Sequence, residues 1–125
     1  MLQFTFESPT LFEPDAVPAA REMLHDDTRE KSYRLAKIRK FAHWLVAEMG
    51  RAGIVAKGLA VDGDGWVFEV PAAEGFVMCV VSNLDGMEQQ IGVMVTEIGG
   101  ASEGVDRAVE TLLRNSGKVA GLKAW

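Results

Sequence analysis

Cysteine is almost missing from this chain. Cys79 is the one thiol in 125 residues, so no internal disulfide forms and the fold needs no oxidising compartment. Histidine is nearly as scarce. His25 and His43 stand alone, without the three or four N, S or O ligands a zinc site requires. There is no CxxC pair, no glycine-rich loop with a P-loop lysine and no G-x-S-x-G elbow, which leaves those metal, phosphate and hydrolase chemistries without sequence support. No apolar run approaches the roughly 18 residues of a membrane span. The longest, Phe76-Val77-Met78-Cys79-Val80-Val81, has strand length. Residues 1–12 hold no basic residue and no signal-like apolar core, so the expected localisation is cytoplasmic. Positive charge is also in deficit. The net charge of −5 argues against a dedicated nucleic-acid binder.

What is present is ordinary globular material. With 48% apolar and 25% charged residues, the chain can bury roughly two-thirds of its unfolded surface, and residues 1–125 read as a single α+β domain. The charge is unevenly spread. Arg29, Lys31, Arg34, Lys37, Arg39 and Lys40 face only Glu30, a local net of +5 that leaves −10 for the rest of the −5 total. The plain reading is a solvated helix face; the sharper one is a surface for an acidic partner or phosphate groups.

Hydrophobic period organises the chain. Leu2-Gln3-Phe4-Thr5-Phe6 alternates like a half-buried strand, and Asp15 to Leu24 admits a short helix with Pro18 in its first turn. Asp27 and Glu30 have capping-box spacing. Leu35, Ile38, Ala42, Leu45 and Met49 then recur at helical intervals, predicting one long amphipathic helix ending near Gly50–Gly53. The period next changes to that of strands. Residues 54–61, 66–70, 76–82 and 90–98 read as a four-strand meander, with the third strand apolar enough to be central and covered on both faces. Ser102 caps a second helix through Leu113. Residues 119–125 read as a short strand or an extended segment. The expected fold is a two-layer α+β sandwich: an antiparallel meander of about four to five strands covered by two helices.

Candidate chemistry is thin. Asp62-Gly63-Asp64-Gly65 looks like a calcium loop, but Trp66 stands where the third ligand belongs, and a hairpin turn explains the same residues. Cys79 sits in the most apolar strand, the reverse of the setting that activates a thiol. Glu69 and Glu97 lie on strands, where a shared face would make them an acid–base pair. Trp66 directly follows a turn and is the tryptophan expected to be partly exposed; Trp125 needs a docking place. The fourth or the N-terminal strand is expected to offer a free edge, so a homodimer by edge pairing is open.

One set of segments resembles known proteins. Phe41-Ala42-His43-Trp44-Leu45 precedes Gly65-Trp66-Val67-Phe68-Glu69-Val70, then Val80-Val81-Ser82-Asn83-Leu84-Asp85-Gly86 and Ile91-Gly92-Val93-Met94-Val95. In order and spacing this resembles small bacterial proteins of unassigned function and the plan of immunity proteins encoded beside bacterial toxins. The resemblance covers residues 35–98 and transfers no catalytic residue. It implies a non-enzymatic inhibitor that binds and blocks a protein toxin or effector, with no metal or cofactor. The partner-binding candidates are the acidic turns and their aromatic neighbour: Asp62, Asp64, Trp66, Asp85 and Glu88. Two other readings stand beside it. One is a small ligand-binding domain or enzyme with a pocket between sheet and helices, where Glu69, Glu97, His43 and Arg39 come first. The other is a mobile-element inhibitor of a bacterial defence system.

Overall fold

Alternating strands joined by tight turns can only pair antiparallel, and their apolar face must be covered. The computed structural model, which describes residues 2–23, 29–63, 65–84, 89–99 and 104–125, realises this with six strands and three helices. Strands β1 (Leu2–Glu7), β2 (Lys57–Asp62), β3 (Gly65–Pro71), β4 (Phe76–Asn83), β5 (Gln90–Ile98) and β6 (Ala120–Ala124) form one antiparallel sheet in the order β2-β3-β4-β5-β1-β6. The helices are α1 (Arg29–Lys37), α2 (Arg39–Arg51) and α3 (Val105–Asn115). No helix among the described residues is long and apolar enough to cross a membrane.

The sheet is thus larger than the expected four to five strands, and the helices number three instead of two. The extra strand is the tail, which pairs with β1 as β6. The extra helix comes from a break in the expected long one. At Ile38 the backbone turns to φ −108°, ψ 6°, and the Ile38 N–H reaches back only to the Leu35 carbonyl, at 3.2 Å. The Glu13 N–H donates to the Lys37 carbonyl at 2.9 Å, occupying the acceptor a continuous helix would use. A foreign donor inserted into the i→i−4 ladder is a standard cause of a kink.

The expected helix at Asp15 to Leu24 is reduced to one 3₁₀ turn, Ala20–Glu22. Pro18 disfavours helical backbone at Val17, whose carbonyl accepts from Arg39 Nη2 at 2.9 Å. The Asp27 and Ser102 caps lie outside the described residues. So does His25.

Side-chain alternation sorts the sheet into two faces. Phe4, Phe6, Trp66, Phe68, Val70, Val77, Cys79, Val81, Ile91, Val93 and Val95 point inward. They join Leu35, Phe41, Leu45 and Met49 of the first two helices, Ile38 between them, and Val105, Val109 and Leu113 of α3 in one core. All three helices therefore sit on that face. β4 is central, as expected, but no helix of the described residues covers its second side. Its other row, Phe76, Met78 and Val80, takes no part in the core.

The two edges are β2 and β6, so neither β5 nor β1 is the free edge expected from the sequence. Both edge strands are irregular. Three residue steps of β2, Lys57 to Ala60, match two of β3, Glu69 to Val67, with Gly58 at φ 74°. Three steps of β6, Lys123 to Ala120, match two of β1, Thr5 to Glu7, with Gly121 at φ 67°. These are glycine bulges, which bend an edge away from strand addition.

The β3–β4 turn shows how tightly the backbone is fitted. Gly75 has φ 96°, and a Cβ there would overlap the Ile98 carbonyl oxygen. Gly75→Ala is expected to cost about 2–4 kcal/mol from combined left-handed strain and backbone displacement. Urea denaturation reads this directly, and an unchanged midpoint would mean that the turn relaxes freely.

Candidate functional site

In a meander, alternate turns fall at the same end of the sheet. Asp62 is paired with Gly65 across the β2–β3 turn. Asn83 is paired with Ile91 beside the β4–β5 turn. Glu7, the last residue of β1, is opposite Gln90 and accepts from its Nε2 at 3.4 Å. Asp62 and Glu7 are both exposed. The base of the second turn is fixed: Asn83 Nδ2 and the Leu84 N–H both donate to the Gln90 carbonyl, at 2.8 and 3.1 Å. Asp64, Asp85 and Glu88 lie outside the described residues, while their chain neighbours Gly63, Gly65, Leu84 and Gln89 frame this same end.

Trp66 does not belong to an exposed contact surface. It is 3% exposed, and its Nε1–H donates to the Leu35 carbonyl at 2.9 Å. This is tied to the helix break at Ile38. The Leu35 carbonyl accepts from the Ile38 N–H and from the indole together; a buried Trp N–H needs such a partner. Trp125 is the exposed tryptophan, at 70%. Its backbone N–H donates to the Gln3 carbonyl at 2.8 Å and its Nε1–H to Thr5 Oγ1 at 2.9 Å.

The carboxylate pair fails on register. Glu69 is opposite Met78 and Glu97 opposite Val77. Neighbouring residues of one strand point to opposite faces, so the two carboxylates lie on opposite sides of the sheet. Cys79 is buried, and burial pushes its thiol up to about 12, far from the range of a nucleophile. No group of three or more metal-ligating side chains exists among the described residues.

The acid–base pair that the structure does hold is Glu22 with Arg39. Glu22 is 1% exposed. Its carboxylate accepts from Arg39 Nε at 2.6 Å, from Arg39 Nη2 and from the Ala19 N–H at 2.9 Å. Burial pushes the Glu22 carboxyl up, but the hydrogen bonds from Arg39 and Ala19, with the charge of Arg39, outweigh it and hold it below its ordinary value. The hydrogen bond to Glu22 in turn raises Arg39. One member of the basic stretch is therefore spent on fastening residues 17–22 to α2. Arg29 sits 5.7 Å from the Tyr33 ring centroid. Sequence reasoning missed the pair because Glu22 carries no local mark of burial.

Two of the clefts among the described residues are lined in part by the sheet. One, of about 280 Å³, is lined by Arg21, Glu22, His43, Leu59, Val61 and Trp66, with the His43 ring edge-on to Trp66 at 5.6 Å. The other is an open groove of about 610 Å³ walled by Ile54, Val55, Val70, Ala72 and Val105. Of these two, only the first brings charged groups together, and both oxygens of Glu22 are already engaged there.

Comparison with known protein families, curated proteins and solved structures found no match.

Proposed function

We propose that this chain is a protein-binding domain of the immunity or inhibitor type, which silences a toxin or effector by covering it, with the acidic end of the sheet as its contact surface. The observation that carries this reading is the convergence at that end. Glu7 and Asp62, 55 positions apart in sequence, come to the same end, and the turns that contain Asp64, Asp85 and Glu88 spring from there. Occlusion needs complementary shape and charge and no reacting group. An acidic rim on a chain of net charge −5 suits a basic enzyme surface, and charge complementarity acts chiefly on the encounter rate.

The test is co-expression with each neighbouring gene product, followed by size-exclusion chromatography and mass measurement. A stable one-to-one complex is expected. Reversing Glu7, Asp85 and Glu88 to lysine should then slow association about tenfold or more at low salt, with a smaller change in dissociation. Full association speed in that variant would remove the acidic end from the interface, and the failure of every neighbour to bind would sink the inhibitor reading. A partner drawn from a defence system would instead favour the mobile-element reading. The ligand-binding reading rests on the cleft at Arg21, Glu22 and His43.

A further inference from the structure

The sheet face turned away from the helices meets the acidic end only at its rim, where Asp62 stands, and it carries a row of half-buried apolar side chains. Register gives its layout. Ala60, Val67, Val80, Met94 and Gln3 follow one another across β2, β3, β4, β5 and β1. Trp125, whose N–H bonds the Gln3 carbonyl, closes the row. One row away, Met78 lies between the exposed Glu69 and Thr96, and beyond it Phe76 faces Ile98. On the other side the row runs from Asp62 and Gly65 at the β2 edge through Ser82, Gly92 and Thr5 to Lys123 at the β6 edge. Val67, Met78, Val80 and Met94 are only half-buried, each shielded by the others. Contiguous apolar surface with a polar rim marks an interaction site.

We propose that two copies of this chain pack these faces together about a two-fold axis parallel to the strands, forming a helix–sheet–sheet–helix dimer. Three features select a second copy as the occupant. The first is charge. A rotation about the strand direction lays the β2 edge of one copy over the β6 edge of the other, which sets Asp62 against Lys123 twice, once at each end of the interface.

The second is relief. The same rotation sets Val80 against Met94 at the centre. It lays the projecting indole of Trp125 over Ala60, and Thr5 over Gly65, so large meets small at both margins. Methionine at positions 78 and 94 adapts to such a seam.

The third is area. Six strands about 4.8 Å apart, each about 20 Å long, make a face of roughly 580 Å² in projection. Side-chain relief brings this near the roughly 800 Å² per partner of a standard interface. Face-to-face sheets pack about 10 Å apart with strands within about 30°. The interface is isologous and closes on itself.

The measurement is multi-angle light scattering of the isolated full chain from micromolar to millimolar concentration. A mass of twice 13.6 kDa is expected. Val80→Glu, at the centre of the face, should return the mass to 13.6 kDa while circular dichroism keeps the native spectrum. Asp62→Lys should weaken dimerisation roughly tenfold, the effect of two symmetry-related rim pairs turned repulsive. Adding Lys123→Asp in the same chain should restore it. That charge exchange also covers the case in which Val80→Glu fails to fold.

A monomeric wild type overturns the proposal. So does a dimer that survives Val80→Glu, or a reversal at Asp62 that the exchange does not rescue. A wild type that is monomeric alone and binds a different protein only with Val80 intact assigns the face to that protein instead. The Glu7, Asp85 and Glu88 reversals leave the mass unchanged here, so the dimer and the inhibitor reading fail separately.

Discussion

Phe41→Ala is expected to destabilise the fold by about 3–5 kcal/mol, the usual cost of removing a fully enclosed aromatic ring. Phe41 is wholly buried and stands between two other rings, 5.1 Å from Phe6 on β1 and 5.4 Å from Trp44 on its own helix. The loss comprises apolar transfer, the cavity left between helix and sheet, and aromatic contacts worth about 0.5–1.5 kcal/mol each beyond area. A small domain has about 5–15 kcal/mol in total, so this single change consumes a large share of it. Equilibrium denaturation measures the effect. A cost near 1 kcal/mol would mean that α2 collapses onto β1 without the ring. Phe6→Ala combined with Phe41→Ala should be less than additive, because each ring is a wall of the other's site.

Arg39→Met is the second large effect, expected near 3 kcal/mol at neutral pH. The thioether keeps the volume of the stem but strands the Glu22 carboxylate, buried and holding only the Ala19 N–H. Removing one partner of a buried pair costs more than the pair contributes, because the remaining charge stays desolvated. The pH dependence follows from the direction of the Glu22 shift. In the wild type the folded carboxyl lies below its ordinary 4.5, so the pair's contribution is complete above that value and is lost as pH falls through the lower, folded value. In Arg39→Met, burial acts unopposed by the guanidinium and the folded carboxyl moves upward. The gap between the two proteins should therefore be widest near neutrality and shrink as the medium becomes acidic. Thermal melts across this range read the gap, and a gap that stays constant would show that the arginine acts by packing alone.

Much of this architecture is legible from local pattern. The meander β2 to β5 follows from Gly53, Asp62–Gly65, Pro71–Gly75 and residues 83–89 as punctuation, and the helical stripe from Leu35 to Met49 identifies the main cover. What escaped is non-local. The break at Ile38 depends on the N–H of Glu13, 25 positions earlier, and no helical periodicity in 35–49 signals it. The burial of Trp66 is tied to that break, because the indole shares the Leu35 carbonyl with the Ile38 N–H. The run Phe76–Val81 reads as a strand covered twice; only the register shows that its second face has no helix over it. β6 was ambiguous because Val119, Leu122 and Trp125 do not alternate. A glycine bulge at Gly121 is what breaks their period.

The candidate site was legible to a similar depth. Composition and turn chemistry singled out the acidic hairpins, and topology gathers the described flanks of those hairpins at one end beside Glu7. Trp66, the aromatic expected to be partly exposed beside them, is buried. Position after a turn says little about exposure when the first strand residue points inward, as Trp66 does, whereas Trp125 stands on the outward row beside Thr5.

The two bulged margins have a consequence for how this molecule behaves when crowded. A fibril that grows from native subunits needs a straight, unpaired rim on each side to template the next chain. Here the bulges at Gly58 and Gly121 twist both rims out of line. Ordered stacking of intact molecules is therefore disfavoured. Insoluble material has to begin from opened chains in which β1, β4 and β5 have come apart, so its rate of appearance follows the opened fraction and not the total concentration of native protein.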